Sequence, residues 1–556
     1  MFKKILEYGY NSALIFIFTF SNLLALTSIL YFINIPISIL HLPVSFILAL
    51  IELYFLRKPK IKDLIISSVL IFIIFLISLF LCGRVFDNSY DGNAYHKEAV
   101  GFLKEGWNPI YESAEEFGKE NSLGDRHHVW LNSYPKATWF YGASVYKITG
   151  NIETAKTFNL IILFVVFFIV TYLINKFYDK KILALLMGVL VVSFPIMCQQ
   201  IFSLYLDGFL GFCLLLTLIY MYLIIKNATS KELFFIIGAL LVIIINVKFT
   251  GLMYAGIFCL GYYIYYLVCK IKAKEYKELG VFTGKFLIIL VFGLLIVGSN
   301  SYIKNIAVHQ NPLYPLIGKD KMDIMTYLQP ESFANMSPIE KNFYSLFSHT
   351  ANIGVFNHGE PVLKIPFTKT GYEISQFGED TRIGGFGVYF SGILIISVIV
   401  ILIYMIAGIV RKNYDNLVMI GIPFLLIILI MFCLSDGWWA RYAPQVWFIP
   451  LMAVFLLLKD NKRLIRIFGI LLFILCINNS YIIINQIVKT RIPISGLTRQ
   501  TLEKNKGEKL DIKMTSPNFS GILFNLKDFD IKYEIKDQLN DADNLYSSVI
   551  FYKKQK

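Results

Sequence analysis

The stretch SALIFIFTFSNLLALTSILYFI, residues 12–33, decides the fold. It is a run of about 20 almost purely apolar residues, which is the length that a helix needs to cross a bilayer. A cleavage site of small residues is not evident, so we expect a retained helix rather than a signal peptide. Similar runs recur along the chain. We predict about 13 membrane spans, near residues 12–33, 36–56, 62–82, 153–175, 182–200, 205–225, 232–247, 249–268, 283–300, 386–410, 416–434, 441–458 and 464–487.

The composition agrees with these spans. Of the 556 residues, 56% are hydrophobic and only 16% are charged, and the mean hydropathy is +0.61. A soluble enzyme carries more charge and less apolar surface than this. The predicted fold class is therefore an all-α polytopic membrane protein.

Basic residues predict which helix ends share a side. The net charge of +14 could indicate a nucleic-acid partner, but the lysines and arginines cluster in short loops between the apolar runs. If the helices simply alternate in direction, every cluster falls on one side, which is the positive-inside pattern. We therefore predict a cytoplasmic N-terminus, an extracytoplasmic C-terminus and no nucleic-acid partner.

Three long segments then fall on the outer side, at residues 83–152, 301–385 and 488–556. The first mixes charged, aromatic and proline residues, which predicts short interfacial helices. The last contains KLDIKM and DIKYEI and predicts a small αβ appendage, which about 60 residues could barely stabilise alone. We divide the chain into a transmembrane domain, 1–487, and a small extracytoplasmic domain, 488–556.

Residues 86–99, FDNSYDGNAYHKEA, place several ionisable side chains where the third span meets the outer side. Positions 87, 91, 95 and 98 follow at helical spacing, so their side chains can share one face of a short helix. Carboxylates crowded on a half-buried face raise one another's pKa, which favours a general base. Asp91 can equally be the N-cap of this helix. The candidates are Asp91 and Asp87 for catalysis, and Tyr95, His96 and Glu98 for substrate binding.

Three further outer-side residues are candidates for substrate binding. Asp207, in SLYLDGFLG, opens the sixth span, where an aspartate either caps the helix or holds a substrate or metal. Lys248, in NVKFTG, and Arg441, in DGWWARYAPQ, run against the positive-inside bias. Each either snorkels or caps carbonyls, or binds a phosphate at the membrane surface. Trp438 and Trp439 fit an interfacial aromatic belt.

Metal binding is only weakly indicated. His349 and His358 have no regular ligand spacing, and we interpret their segment, which also holds Glu360, Glu373, Asp380 and Arg382, as a solvated loop. The seven cysteines contain no CxxC pair, so the sequence supports neither a disulfide framework nor a cysteine metal site. No definite cofactor is indicated, and a divalent metal ion stays open.

These features together resemble the GT-C superfamily of polytopic glycosyltransferases, which contains protein O-mannosyltransferases and aminoarabinose transferases. The resemblance rests on FDNSYDGNAYH, GWNP and SYPKATWFYG in the first outer segment, then on LYLDG, VKFTG, QNPLYPL and WWARYAPQ. It spans residues 83–458. In that family an aspartate of the first outer loop is the catalytic base, which implies Asp91 or Asp87 here. Two spans more than usual precede the acidic loop, and two aspartates four positions apart replace the usual adjacent acidic pair.

The resemblance implies an inverting glycosyltransferase of a bacterial cytoplasmic membrane. Its donor would be a polyprenyl phosphate sugar, and its acceptor a hydroxyl of an envelope glycan, lipid or protein. An O-antigen polymerase or ligase is an alternative, although such enzymes depend on arginines in a large outer loop and residues 301–385 contain only Arg382. A lipid-linked glycan transporter is disfavoured because the charges lie at span ends rather than near the midplane.

Overall fold

The computed structural model describes residues 1–121, 127–323, 328–352, 359–547 and 549–555. Within these residues, nine helices are long and apolar enough to cross a membrane. Two shorter apolar helices and two helices of 17 residues complete the set, so each predicted span coincides with helical structure. The prediction of an all-α polytopic membrane protein with a small αβ appendage is confirmed.

The membrane helices follow the apolar runs closely. They comprise Phe2–Phe32, His41–Arg57, Ile61–Cys82, Ile152–Lys156 with Thr157–Tyr178, Lys181–Val192 with Pro195–Gln200, Asp207–Lys226, Lys231–Val247, Phe249–Ala273, Tyr276–Val291 with Phe292–Val297, Phe390–Val410, Tyr414–Asn416 with Leu417–Gly421 and Ile422–Cys433, Pro444–Trp447 with Phe448–Lys459, and Arg463–Lys504. The fifth span is interrupted before Pro195, because a proline cannot donate the helical N–H that would continue the hydrogen-bond ladder.

The outer segments contain short helices, as predicted for residues 83–152. These comprise Gly92–His96, Lys97–Glu105, Ala114–Glu120, His128–Ser133, Ala137–Thr149, Ser299–Ile303, Lys304–His309, Glu331–Asn335, Pro338–Phe347, Gly371–Ser375 and Ala440–Tyr442. Three of them begin with a complete capping box, at Ser113, Ser337 and Thr370. Such caps satisfy the free N–H groups at the start of a short helix.

Contacts between helix ends match the sides assigned from the basic residues. Lys3 lies 2.9 Å from Asp179, and Arg57 pairs with Glu232. Lys226 pairs with Asp415 in the same way. All of these residues lie at ends that the sequence places on the cytoplasmic side, so these ends share one side of the protein, and the assignment of that side as cytoplasmic stays a prediction.

The appendage is a four-stranded mixed sheet with two short helices. Its strands are β1 (Lys509–Met514), β2 (Lys532–Ile535), β3 (Asp543–Tyr546) and β4 (Ile550–Lys554), in the order β2-β1-β4-β3. Strand β2 pairs in parallel with β1, while β4 is antiparallel to both β1 and β3. The helices Pro517–Ile522 and Leu523–Asp528 connect β1 to β2.

The appendage does not build its core alone. Its hydrophobic core includes Phe86, from the first outer segment, and Leu502, from the last helix. This shared burial compensates for the small size of the sheet, since few residues bury little apolar area by themselves. The last helix runs through residue 487 as far as Lys504, and the division of the chain at residue 487 stays a prediction.

Candidate functional site

Four distant parts of the chain meet at one polar cavity on the predicted outer side. The cavity lies beside the turn Gly92–His96, which is a π-helix. Single π-turns widen the helical repeat and are frequent at functional sites. The cavity has a volume of about 20 Å³. Its walls are Asp91, Tyr95, His96, Tyr134, Pro135, Trp139, Tyr205, Leu206, Asp207, Val247, Lys248 and Arg441.

Arg441 is the centre of an ion-pair network. Its Nη1 lies 3.1 Å from Oδ2 of Asp91 and 3.5 Å from Oδ2 of Asp207. Its Nε lies 2.6 Å from Oδ1 of Asp380. Arg441 is only 7% exposed, and a buried guanidinium requires such counter-charges. The short 3-10 helix Ala440–Tyr442 carries Arg441 at this network.

Lys248 forms the second cation of the site. Its Nζ donates a hydrogen bond of 2.6 Å to Oδ1 of Asp207. Asp207 is the first residue of its helix, where the helix dipole also favours negative charge. Gln200 donates to Oδ2 of Asp207 at 3.2 Å and accepts from the Gly208 N–H at 2.8 Å. Asp207 is therefore held from several directions.

Aromatic rings enclose both cations. The Arg441 guanidinium lies 4.6 Å from the ring centre of Tyr205 and 4.8 Å from those of Trp439 and Tyr442. The Lys248 ammonium lies 4.2 Å from the Tyr442 ring. Cation–π contacts of this kind partly replace the hydration that the cations lose. Trp438 and Trp439 are both buried, so the aromatic-belt interpretation is wrong.

His96 is fixed in one tautomer. The Trp139 indole can only donate, and its Nε1 donates to Nδ1 of His96 at 2.7 Å. The proton of a neutral His96 therefore resides on Nε2. Burial lowers the pKa of His96 to about 4, with neighbouring charges making smaller contributions. His96 thus presents a neutral N–H at the cavity wall over the ordinary physiological pH range.

Asp380 enters the site from the outer loop. Its Oδ1 accepts a hydrogen bond of 3.0 Å from Trp439 Nε1 in addition to its ion pair with Arg441. Burial raises the pKa of Asp380 to about 6, against the opposing effect of Arg441. The interpretation of Asp380 as part of a solvated loop is therefore wrong. With Asp91 and Asp207 it makes three carboxylates around Arg441 and Lys248.

The structure does not bring Asp87 to the cavity. Its carboxylate is fully buried and accepts the N–H of Leu204 at 2.7 Å and the N–H of Ser89 at 2.8 Å. Burial raises its pKa. These bonds join the first outer segment to the turn that leads into Asp207. Asp87 therefore positions the backbone beside the site rather than facing a substrate.

Glu98 is also absent from the cavity walls. Glu98 is buried on the helix Lys97–Glu105, and its side chain does not line the cavity that Asp91 and Tyr95 line. Its neighbour Lys97 points toward the appendage: Nζ donates to Glu153 at 2.7 Å, to Asn525 at 2.9 Å and to Tyr546 at 3.1 Å. The predicted shared face therefore holds for Asp91 and Tyr95 but not for Asp87 and Glu98.

Several wall residues were not identified from the sequence. They are Tyr134, Trp139 and Tyr205, which are aromatic residues in apolar surroundings and carry no distinguishing spacing. Lys136 was missed as well. It is buried beside Trp139, and its Nζ donates to the backbone carbonyls of Tyr134 at 2.8 Å and Asn132 at 3.1 Å. An isolated lysine next to a proline in SYPKATWFYG was the one available signal.

No metal cluster is found in the described part of the chain, where no group of three or more His, Cys, Asp or Glu side chains is placed to hold an ion. His349 instead lies 3.2 Å from Glu373, which also pairs with Lys364. His358 lies outside the described residues. The carboxylates of the cavity are paired with Arg441 and Lys248, so they neutralise cations of the protein itself.

Comparisons with known proteins give a similarity of structure and none of sequence. No protein-family model matches the sequence, and no curated protein matches it. Among solved structures, the chain is similar to the crystal structure of ArnT from Cupriavidus metallidurans in the apo state. The match covers 84% of each chain, with 11% sequence identity and a TM-score of 0.46.

Proposed function

We propose that this protein is an inverting glycosyltransferase of the bacterial cytoplasmic membrane. It transfers a sugar from a polyprenyl phosphate donor to a hydroxyl of an envelope glycan, lipid or protein on the outer side. The observation that carries the proposal is that Arg441 joins Asp91 to Asp207 and Lys248 around one cavity. A carboxylate beside two cations is the minimum that such a transfer requires, because the phosphate leaves already ionised.

In the proposed reaction, Asp91 accepts the proton of the acceptor hydroxyl. The acceptor oxygen forms a bond to the anomeric carbon as the bond from that carbon to the donor phosphate oxygen breaks. The electron pair leaves with the polyprenyl phosphate, whose added charge Arg441 and Lys248 stabilise. Attack from the face opposite the phosphate inverts the anomeric configuration. Neutral His96 donates a hydrogen bond to a substrate oxygen without competing for the proton.

The lipid chain of the donor needs an apolar binding site beside the cations. A cleft of about 300 Å³ lies among the helices Lys231–Val247, Phe249–Ala273 and Tyr276–Val291. Ile245 and Leu252, which flank Lys248 in the chain, are among its lining residues. A polyprenyl chain in this cleft would keep its phosphate near the Lys248 ammonium. This arrangement supports a lipid-linked rather than a nucleotide-linked donor.

The size of the cavity sets a condition on binding. Its accessible volume of about 20 Å³ suits roughly one water molecule and not a sugar phosphate. The proposed substrates therefore have to displace wall side chains as they bind. Such a movement would replace contacts that Arg441 makes with the rings of Tyr205 and Tyr442 by contacts with the substrate.

The decisive test is transfer of radiolabelled sugar from a panel of polyprenyl phosphate sugars to envelope material. Membranes would contain the wild-type protein, Asp91→Asn, or the control Asp320→Asn, which changes an exposed outer aspartate. We expect transfer by the wild type and the control, and a loss of at least about a hundredfold in Asp91→Asn. Absence of transfer from every donor by a folded wild type would overturn the proposal in favour of a polymerase, ligase or transporter.

A further inference from the structure

The appendage carries a groove of its own, outside the cavity of the candidate site. Its volume is about 350 Å³, and it lies between the helix Leu523–Asp528 and the edge strand β2. Its lining includes Ser520, Phe524, Lys527, Lys532 and Tyr533. We call this the appendage groove.

The side chains of the appendage groove combine a flat apolar surface with polar groups. The half-buried Tyr533 supplies aromatic surface above the buried Phe524, and Lys527 and Lys532 are exposed cations. Lys527 shares its charge with Glu105, at 2.6 Å. In the described part of the chain, the buried hydroxyl of Ser520 has no hydrogen-bond partner. A buried polar atom without a partner is unfavourable, so a ligand oxygen that reaches it gains a hydrogen bond.

A saccharide matches this combination of groups. One face of a pyranose ring is apolar and packs on aromatic rings, while its hydroxyls exchange hydrogen bonds with serine and lysine. Among the described residues, Glu105 is the one carboxylate paired with the ammonium groups of Lys527 and Lys532, which leaves a local positive charge. That charge favours a saccharide that carries a carboxylate or phosphate.

The segment that leads into the appendage groove contacts Tyr90, the neighbour of the candidate catalytic residue Asp91. Asn518, two residues before Ser520, donates to the Tyr90 hydroxyl at 3.3 Å, and Phe519 packs on the Tyr90 ring at 5.3 Å. Tyr90 is the neighbour of Asp91 and is 51% exposed. These contacts link the segment that leads into the groove at Ser520 to Tyr90, the neighbour of Asp91.

The appendage is also held firmly at this point. A Cβ atom added to Gly521 would lie 2.6 Å from the backbone oxygen of Asn93, so the helix Pro517–Ile522 packs directly on the turn that follows Asp91. The Asn518 carbonyl contacts Nε2 of His127 at 2.9 Å. A ligand in the groove consequently has a defined position relative to Asp91.

We propose that the appendage groove binds the acceptor and that the acceptor is an anionic oligosaccharide. This inference rests on the proposed glycosyltransferase function and narrows its acceptor from a glycan, lipid or protein to one class. The oligosaccharide lies along β2 and the helix Leu523–Asp528. Its terminal residue passes Tyr90 and Phe519, which brings a terminal hydroxyl to the Asp91 carboxylate.

Direct binding tests the groove without any donor. Tetragalacturonate, phosphorylated maltotetraose and neutral maltotetraose are titrated calorimetrically into the purified full-length protein. We expect at least one charged probe to bind at least about tenfold more tightly than neutral maltotetraose. Lys532→Ala and Tyr533→Ala should each weaken that binding about tenfold, whereas Lys513→Ala, an exposed lysine of β1 outside the groove, should not. No binding of either charged probe, or equal binding by all variants, overturns the proposal.

Enzyme kinetics tests acceptor binding in the groove separately from the proposed transfer reaction. With a charged oligosaccharide as acceptor, Lys532→Ala should raise the acceptor KM about tenfold and change kcat less than about twofold, because the reacting groups are untouched. If the protein transfers sugar to a lipid or protein acceptor and neither Lys532→Ala nor Tyr533→Ala changes that transfer, the groove assignment is overturned. The proposed transfer reaction then still stands. Oligosaccharide binding without transfer from any donor would instead overturn the transfer reaction. Unchanged thermal unfolding of the variants verifies their fold.

Discussion

The Arg441 guanidinium lies 3.1 Å from the Asp91 carboxylate, although the two residues are 350 positions apart in the chain. Each would be unfavourable in this buried place without the other. The pairing has a functional consequence under the proposed mechanism. A donor phosphate that binds Arg441 competes with Asp91, so arrival of the donor would release the carboxylate that accepts the acceptor proton. Donor binding would then precede activation of the base.

Asp91→Asn should therefore separate binding from catalysis. The change removes the charge that competes for Arg441 and keeps the shape of the side chain. We expect polyprenyl phosphate to bind about tenfold more tightly, or about 1.4 kcal/mol, while transfer falls at least about a hundredfold. Binding of labelled polyprenyl phosphate to the purified protein measures the first effect. Weaker or unchanged binding would contradict the competition between Asp91 and the phosphate.

Arg441→Lys should lower activity although the positive charge is kept. Lysine lacks the planar fork that reaches Asp91, Asp207 and Asp380 together, and it cannot form a bidentate phosphate contact. We expect kcat/KM to fall about a hundredfold, mainly through the donor KM. Arg411→Lys, on an exposed residue of the predicted cytoplasmic side, is the matched control. Equal activity of the two variants would show that the geometry of Arg441 is unimportant.

Asp380 should produce an acid limb in the pH profile. Because burial raises its pKa to about 6, Asp380 loses its charge as the pH falls below 6, and Arg441 then loses one of its partners. We expect the transfer rate to fall severalfold between pH 7 and pH 5 in the wild type. The Asp380→Asn variant should transfer sugar slowly, and its pH profile should lack a midpoint near pH 6. The same midpoint in both proteins would assign it to another group.

The raised pKa of Asp380 affects stability in the opposite direction to activity. The folded protein binds this proton more tightly than the unfolded chain does, so the contribution of Asp380 to stability is complete below about pH 4. It is lost as the pH rises through 6. Thermal unfolding at pH 5 and pH 7 should therefore show a relative gain at pH 5 that is smaller in Asp380→Asn.

Lys97→Met should loosen the appendage. The Lys97 ammonium is fully buried and joins Glu153 to Asn525 and Tyr546 of the appendage. Its loss leaves Glu153 paired with Lys156 and bonded to Asn525, but removes the hydrogen bonds that Lys97 itself donates to Asn525 and Tyr546. We expect the free energy of unfolding to fall by about 2 kcal/mol. Limited proteolysis should then release residues after Lys504 faster than in Lys553→Met, an exposed control. An unchanged cleavage rate would exclude this role for Lys97.

The sequence by itself determined the membrane helices and predicted their direction. A run of about 20 apolar residues has few alternatives to a spanning helix, and the basic clusters assign its ends. The sequence also selected Asp91, Tyr95, His96, Asp207, Lys248 and Arg441, because polar residues at the outer ends of spans are conspicuous against an apolar background. All six line the same cavity.

Only the tertiary structure decided which acids face that cavity. Asp87 and Asp91 have similar surroundings in the sequence, but Asp87 accepts the Leu204 N–H, which lies 117 positions away. Asp380 looked like a residue of a solvated loop until the fold placed it 2.6 Å from Arg441. The docking of the appendage likewise depends on pairs such as Lys97 and Tyr546. Contacts between residues that are distant in the chain depend on how the helices pack, and no local pattern or spacing encodes them.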